Sequence, residues 1–318
     1  MQPEMSVVVI TPDNFATIAK TIGYLHEQNV RDRLEIVIAA PTKVALQLQE
    51  DVLRAFHSFK VIEVGEITST ARARAAGVFA ASAPVVAFVE DHSFPASGWA
   101  EALIGAHRQA WAAVGPAMVN ANPLTLASWV SLLTEYAPWL DPCPAGVRYH
   151  LPGHNASYKR ALLVQYGDAL EAMIDAESVL QWDLRSQGHE LYLESAAKTM
   201  HYNFSAGFSW LPLRFNGGRL FAAARARNWS ALRRMLYCLA SPLIPFVRLM
   251  RIVKELRAPG RRRDLLPRIV PLLLVSLVFD AAGELTGYAL GAGDSMRKLS
   301  DMEFHRHRYL AKTDFHAE

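Results

Sequence analysis

The stretch "PVVAFVEDHSFPASGW", residues 84–99, combines a strand pattern with a group of polar side chains. Its apolar run from Val85 to Val89 has the length and branched side chains of a strand buried on both faces. The run stops at Glu90-Asp91-His92, where three side chains that can bind a metal follow the strand end. The stretch predicts a buried strand that ends in a metal-binding turn, with a plain polar turn as the alternative.

The residues before this stretch alternate between strand and helix patterns. Strand-like apolar runs occupy 6–11, 34–41 and 59–65, and helical spacing occupies 15–28, 43–56 and 71–82. This alternation predicts an α/β fold in which a mostly parallel sheet is flanked by helices. Ligands of such sheets bind at the carboxyl ends of strands, where Thr11-Pro12-Asp13 also falls.

The middle of the chain contains a loop and a second helix–strand unit. "LPGHNASYKRALLVQYG", residues 151–167, is typical of a loop that enters a helix. Residues 175–193 predict a helix, a stop at Gly188 and a strand.

The last third of the chain is strongly basic. Residues 214–268 hold fourteen basic and two acidic residues in a chain of net charge +3. Arg248, Arg251, Lys254 and Arg257 recur at spacing three among apolar residues, which predicts a basic amphipathic helix on an anionic membrane surface. Nucleic acid is the weaker alternative, because these arginines alternate with long aliphatic side chains rather than aromatic ones.

An eleven-residue uncharged run, 269–279, follows the basic helix. It is too short to span a bilayer, which needs about 20 residues. Extending it to Gly291 includes Asp280 and Glu284, and it places Gly283 and Gly287 at close-packing spacing. We expect an interfacial or re-entrant helix pair, with a buried helical subdomain as the alternative. Two isolated cysteines and an N-terminus without a secretory pattern favour the cytoplasmic face of the cell membrane.

The order of these segments resembles the family 2 glycosyltransferases of the GT-A fold. The motifs that carry the resemblance are "VVVITPDN", "ARARAAGVFAASAPVVAFVEDHSFPASGW", "GHNASYKRALL" and "AESVLQWDLRSQGHELYLESAAKTMH", and they lie within residues 5–225. The resemblance implies a GT-A (Rossmann-like) domain over 1–225, with 226–318 as a helical, membrane-associated appendage. It also implies inverting transfer of one sugar from a UDP- or GDP-linked donor to a hydroxyl of a lipid-linked, membrane-proximal or polysaccharide-precursor acceptor.

The metal-binding acidic motif of that family corresponds to Glu90 and His92, with Asp91 between them. The family's final histidine corresponds to His201. The resemblance therefore implies a divalent metal, Mn²⁺ or Mg²⁺, held by Glu90, His92 and His201, and the histidines favour Mn²⁺. Asp91 is expected to share the metal or to contact the sugar.

The resemblance also assigns the base and the acceptor side. Glu177 takes the position of the general base, with Asp175 as the nearby substitute, although a carboxylate at a helix start can also serve only the helix dipole. Gly153, His154 and Asn155 correspond to the loop on the acceptor side.

Donor binding is expected from two groups of residues. One is the strand-end set Thr11, Pro12, Asp13, Arg74, Glu90 and Asp91. The other is Arg214 and Arg219, which could close over the diphosphate. The altered acidic motif leaves a second hypothesis open, in which the chain is a catalytically inactive nucleotide-binding scaffold at the membrane.

Overall fold

The computed structural model describes residues 2–175 and 177–315, apart from the side chains of Glu177 and Phe315. The chain forms two compact units that are each discontinuous in sequence. Unit 1 comprises Met1–Val119 and Cys143–Met200, and unit 2 comprises Asn120–Pro142 and His201–Glu318. The predicted domain division at residue 225 stays a prediction.

The described residues contain nine strands in one sheet, with the order β3-β2-β1-β4-β8-β6-β9-β5 and β7 paired to β9. The strands are β1 Met5–Ile10, β2 Leu34–Ala40, β3 Ser58–Glu63, β4 Val85–Val89, β5 Ser93–Pro95, β6 Ala113–Asn120, β7 Gly146–Arg148, β8 Ser157–Lys159 and β9 Leu191–His201. All lie in unit 1 except the last residues of β6 and β9.

The helices accompany this sheet and make up most of unit 2. They are α1 Phe15–His26, α2 Lys43–Leu46, α3 Glu50–Leu53, α4 Thr70–Ala80, α5 Trp99–Ala106, α6 Leu126–Tyr136, α7 Arg160–Val164, α8 Leu170–Asp175, α9 Glu177–Ser186, α10 Trp210–Arg225, α11 Ala231–Ala240, α12 Ile244–Leu256, α13 Leu266–Leu290 and α14 Ser295–Phe304. The predicted sheet flanked by helices and followed by a helical region is confirmed.

Two details differ from the sequence prediction. The sheet is mixed, because β3, β2, β1 and β4 pair in parallel whereas β8 pairs antiparallel with both β4 and β6. The helix predicted over 43–56 is two short helices, because Gln47 adopts a left-handed conformation with φ 50° and ends α2.

The parallel strands bring the predicted site loops to one edge of the sheet. Every residue of β1, β2 and β4 is buried, as expected for strands covered on both faces. Val9 of β1 pairs with Val89 of β4. The loops that begin at Thr11 and Glu90 therefore leave the sheet at the same carboxyl edge.

Glycines set the helix packing in unit 2. A Cβ on Gly283 would lie 2.1 Å from the Phe215 carbonyl oxygen, and one on Gly287 would lie 2.3 Å from that of Arg219. Helices α10 and α13 therefore pack backbone to backbone, which only glycine permits. Helix α13 also contacts α12, because Arg248 of α12 forms ion pairs with Asp280 and Glu284 of α13.

Two segments of unit 2, Ala231–Leu256 and Arg263–Leu290, are long and apolar enough to cross a membrane by length and composition alone. In the first, large apolar side chains point to solvent at three- and four-residue spacing, as on one face of a helix. We call this set the apolar face: Leu232, Met235, Leu236, Leu239, Leu243, Phe246, Val247 and Met250.

Candidate functional site

The turn after β4 is fastened to α1 through its backbone. The Thr21 hydroxyl lies 2.9 Å from the Asp91 carbonyl oxygen, 3.3 Å from that of Glu90 and 3.4 Å from that of Ser93. Thr21 is fully buried, so this contact is shielded from water. The backbone of Glu90-Asp91-His92 is thus fixed, and its side chains project from a rigid frame.

Glu90 is the hub of polar contacts at this edge. Its Oε2 accepts hydrogen bonds from Asn155 Nδ2 at 2.9 Å and from Ser93 Oγ at 3.3 Å. Its Oε1 lies 3.7 Å from Arg74 and 3.7 Å from His154. The Glu90 carboxylate therefore lies among hydrogen-bond donors and beside the positive charge of Arg74.

His92 is held by its own neighbour. Its Nδ1 lies 2.6 Å from Asp91 Oδ1, and a carboxylate can only accept, so Nδ1 carries the proton. Nε2 then bears the lone pair and lies 3.6 Å from Glu90 Oε2. A histidine whose Nδ1–H is bound by a carboxylate is the usual arrangement of a metal ligand. Asp91 therefore orients His92 in this geometry.

His201, the last residue of β9, completes a group of possible metal ligands. It is fully buried. One ligand atom each from Glu90, His92 and His201 lies within 4.8 Å of the other two. A set of one carboxylate and two imidazoles suits Mn²⁺ better than Mg²⁺, which prefers oxygen ligands. The residues present fit a divalent metal, as the sequence predicted.

Arg74 supplies positive charge beside the same carboxylate. It lies on α4, is 4% exposed and packs over the Phe88 ring at 5.6 Å. Its Nη1 lies 2.6 Å from His154 Nδ1, and because arginine can only donate, that nitrogen accepts. Arg74 and His154 are thus brought together with Glu90 at one point, although they lie far apart in sequence.

The remaining strand-end residues lie at the end of β1. Thr11 is buried, and its hydroxyl donates to the Asn14 carbonyl oxygen at 3.0 Å and accepts from the Asp13 backbone N–H at 3.3 Å. Pro12 lies between them and is partly exposed, and Asp13 is exposed. Thr11 shapes the loop, and the Asp13 side chain faces solvent.

The loop predicted to lie on the acceptor side is a single 3₁₀ turn over Gly153–Asn155, and Asn155 is 1% exposed. Gln181 of α9 ties the chain just before it, accepting from the Leu151 N–H at 2.9 Å and donating to its carbonyl oxygen at 3.2 Å. Asp175 ends α8. The side chain of Glu177, the predicted base, lies outside the described residues.

The two predicted arginines of α10 have partners inside unit 2. Arg214 donates to Glu135 Oε2 at 3.2 Å. Arg219 donates through Nε to the Gly291 carbonyl oxygen at 2.8 Å, at the end of α13. Both side chains stabilise the helical packing, and their role at the diphosphate stays a prediction.

Sequence reasoning missed four residues that build this site: Thr21, Ser93, Gln181 and Asn203. Ser93 follows Glu90 by three residues, so its place within the turn was a usable signal. Thr21 and Gln181 form hydrogen bonds with residues of distant segments, and Asn203 forms one with His201 just before it. No spacing in the sequence indicates these contacts.

No family model matches the chain, and no curated protein matches it. Solved structures are similar to it at low identity. GalNAc-T7 with UDP, GalNAc and Mn²⁺ matches 63% of this chain at 15% identity and a TM-score of 0.48, and the match spans 43% of that protein. TarS 1–349 of S. aureus with UDP matches 90% of both chains at 16% identity and a TM-score of 0.48.

A third similar structure is the mannosyltransferase PcManGT from Pyrobaculum calidifontis in complex with GDP-Man and Mn²⁺. It matches 99% of this chain and 83% of its own at 14% identity, with a TM-score of 0.47. The case for function rests on the residues of the site.

Proposed function

We propose that this protein is a glycosyltransferase that moves one sugar, with inversion, from a UDP- or GDP-linked donor to an acceptor hydroxyl. The observation that carries the proposal is the Glu90–His92–His201 ligand group beside the buried Arg74, at the carboxyl edge of the sheet. Departure of a nucleoside diphosphate leaves concentrated negative charge, which a metal and an arginine together can neutralise.

Each side chain has a distinct role in this proposal. Glu90, His92 and His201 hold Mn²⁺, which when bound supplies positive charge to the leaving diphosphate. Arg74 adds a fixed charge, and Asp91 keeps His92 in its ligand form. Thr11, Pro12 and Asp13 contact the nucleotide, and Gly153, His154 and Asn155 line the acceptor side.

The chemical step needs a base. The acceptor hydroxyl gives its proton to a carboxylate, its oxygen bonds to the anomeric carbon, and the bond from that carbon to the diphosphate oxygen breaks. We assign the base to Glu177 at the start of α9, with Asp175 as the alternative. Arg214 and Arg219 approach the diphosphate only if they leave their partners in unit 2.

A donor screen tests this function. Purified protein is incubated with UDP- and GDP-sugars and either Mn²⁺ or Mg²⁺, and released nucleoside diphosphate is measured. We expect turnover with Mn²⁺ to exceed turnover with Mg²⁺, and we expect Glu90→Ala, His92→Ala and Glu177→Ala each to lose at least 100-fold. His57→Ala and Glu171→Ala, which remove exposed side chains elsewhere, are the matched controls.

The alternative outcome is informative. If the protein binds nucleotide but shows no turnover with any donor or metal, the hypothesis of an inactive nucleotide-binding scaffold is favoured over that of an enzyme. Turnover that survives both Glu90→Ala and His92→Ala would reduce the Glu90-Asp91-His92 turn to a structural loop and refute the proposed site.

We further propose that the protein works on the cytoplasmic face of the cell membrane, bound through α11 and α12, with a lipid-linked or otherwise membrane-proximal acceptor. The apolar face and the exposed Arg233, Arg251, Lys254 and Arg257 support this, because such helices lie in the interface of anionic bilayers.

A further inference from the structure

A buried hydrogen-bond network in unit 2 surrounds His201. Its other members are Asn120, Asn122, Ser128 and Asn203, none of which is more than 9% exposed. Buried amides are costly unless they are satisfied, so a cluster of three asparagines needs a reason.

The backbone determines which way each amide is turned. The Asn122 N–H donates to the Asn120 side chain at 3.0 Å, so the atom that receives it is the oxygen. Asn203 Nδ2 lies 3.0 Å from that oxygen and 2.8 Å from the His201 carbonyl oxygen. Both neighbours are acceptors, so this atom of Asn203 must be the amide nitrogen.

The orientation of Asn203 fixes the tautomer of His201. With its nitrogen so placed, Asn203 directs Oδ1 at His201 Nδ1, 2.9 Å away. An amide oxygen only accepts, so Nδ1 must carry the proton and Nε2 the lone pair. This tautomer is the less common one in free histidine, and it is the same one that Asp91 imposes on His92.

We infer that Asn203 is a positioning residue that sets the Nδ1–H tautomer of His201 and thereby aims its Nε2 lone pair at a divalent cation. The inference rests on the proposed function insofar as it assumes the Glu90–His92–His201 metal site. Partners that orient a ligating imidazole are generally worth 10–100-fold in metal affinity.

The chain's C-terminal segment holds Asn203 in place. Asn122 Nδ2 donates to the Asn203 carbonyl oxygen at 2.9 Å and to Asp314 Oδ2 at 3.0 Å. The Ser205 and Ala206 N–H groups donate to the Tyr309 carbonyl oxygen at 3.1 and 3.0 Å. Residues 309–314 therefore brace the segment that carries Asn203.

The test measures the tautomer first, without metal. In full-length protein labelled with ¹⁵N-histidine, the His201 resonances are assigned by their loss in His201→Gln. We expect a protonated Nδ1 and an unprotonated Nε2 in wild type and in Asn203→Asp, which keeps the acceptor oxygen. Asn203→Leu removes it, and the Nε2–H tautomer should then predominate.

The second measurement is Mn²⁺ affinity, by electron paramagnetic resonance of free Mn²⁺. We expect Asn203→Leu to weaken binding about 10–100-fold. Ser128→Ala is the control, because it removes bonds to Asn120 and Asn122 and leaves the Asn203–His201 bond intact. Thermal unfolding of each variant verifies that it is folded.

Three results would overturn the inference. They are an Nε2–H tautomer in the wild type, an unchanged tautomer in folded Asn203→Leu, and equal losses of affinity in Ser128→Ala and Asn203→Leu. If the wild type has the Nδ1–H tautomer but binds no Mn²⁺, the proposed metal site fails while Asn203 keeps its effect on the histidine.

Discussion

Apolar side chains are buried in the parallel strands of unit 1 but exposed on helices α11 and α12 of unit 2. All residues of β1, β2 and β4 are buried. On α11 and α12, by contrast, the apolar face is exposed, with Leu239 at 71% and Met250 at 66%. Soluble monomers rarely expose large contiguous apolar patches, so the difference separates a sheet that makes its own core from helices that need other apolar surroundings.

Buried polar groups also differ between the two regions. Arg248, Asp280 and Glu284 bring charge to the interior side of α12 and α13. In unit 1, His107 is buried, and its Nε2 lies 2.9 Å from the Ser157 hydroxyl. Three experiments, taken in order of decreasing expected effect on stability, can break or sharpen this comparison.

The largest effect is expected where α10 and α13 touch. Gly283→Ala adds a methyl group 2.1 Å from the Phe215 carbonyl oxygen, and backbone atoms cannot move aside as a flexible side chain could. We expect the free energy of unfolding to fall by about 3 kcal/mol, measured by urea denaturation.

Gly217→Ala is the matched control for Gly283→Ala. Gly217 lies inside α10, and a Cβ there meets nothing within 4 Å. Replacing a helical glycine by alanine then raises stability by up to about 1 kcal/mol. Equal effects of the two substitutions would show that helix propensity, and not close packing, governs unit 2.

The second effect concerns the interior of unit 1. Burial, and then the positive charge of Lys159, lower the pKa of His107 from 6.5 to about 4. Between these values the unfolded chain binds a proton that the folded chain does not, so stability rises with pH. The contribution is complete above pH 6.5 and is lost as the pH falls to 4.

His107→Gln isolates the pH-dependent contribution of His107 to stability, because glutamine can keep a hydrogen bond to Ser157 and does not titrate. Denaturation midpoints measured from pH 4 to pH 7 should show a shallower slope in the variant. If the slopes coincide, the buried histidine is not the group that makes unit 1 sensitive to acid.

Within unit 1, the sequence predicted the buried parallel strands better than the segments between them, for a physical reason. Continuous apolar runs such as Val85–Val89 can be satisfied only inside a sheet, so β1, β2 and β4 were correctly predicted. The prediction of one helix over 43–56 was wrong because Gln47 adopts a left-handed conformation, which hydrophobic periodicity does not indicate. Antiparallel pairing of β8 carries no signal in its three residues.

The sequence likewise predicted some features of the candidate site and not others. Strand ends predicted where Glu90 and His92 lie, because a chain that leaves a parallel sheet does so at its carboxyl edge. The contact of Arg74 with His154 joins residues 80 positions apart and arises only when β8 pairs with β4. The tautomers of His92 and His201 depend on single hydrogen-bond partners, which no spacing encodes.

The smallest effect on stability is expected on the apolar face, and it carries the strongest contrast with unit 1. Leu239→Ser together with Phe246→Ser removes two side chains that are 71% and 60% exposed. Because neither is buried in the folded protein, the free energy of unfolding should change by less than about 0.5 kcal/mol per site. Binding to phosphatidylglycerol vesicles, measured by flotation, should fall about 100-fold, since each of the two side chains loses an apolar environment worth about 1.5 kcal/mol.

Val44→Ser is the control for this last experiment, because Val44 is 88% exposed but lies in unit 1. It should change neither stability nor flotation. Binding should also weaken on neutral phosphatidylcholine vesicles and at high salt, because the exposed arginines contribute through charge. Wild-type flotation in the double variant would mean that α11 and α12 meet something other than lipid, and the contrast between the two regions would then require a protein partner.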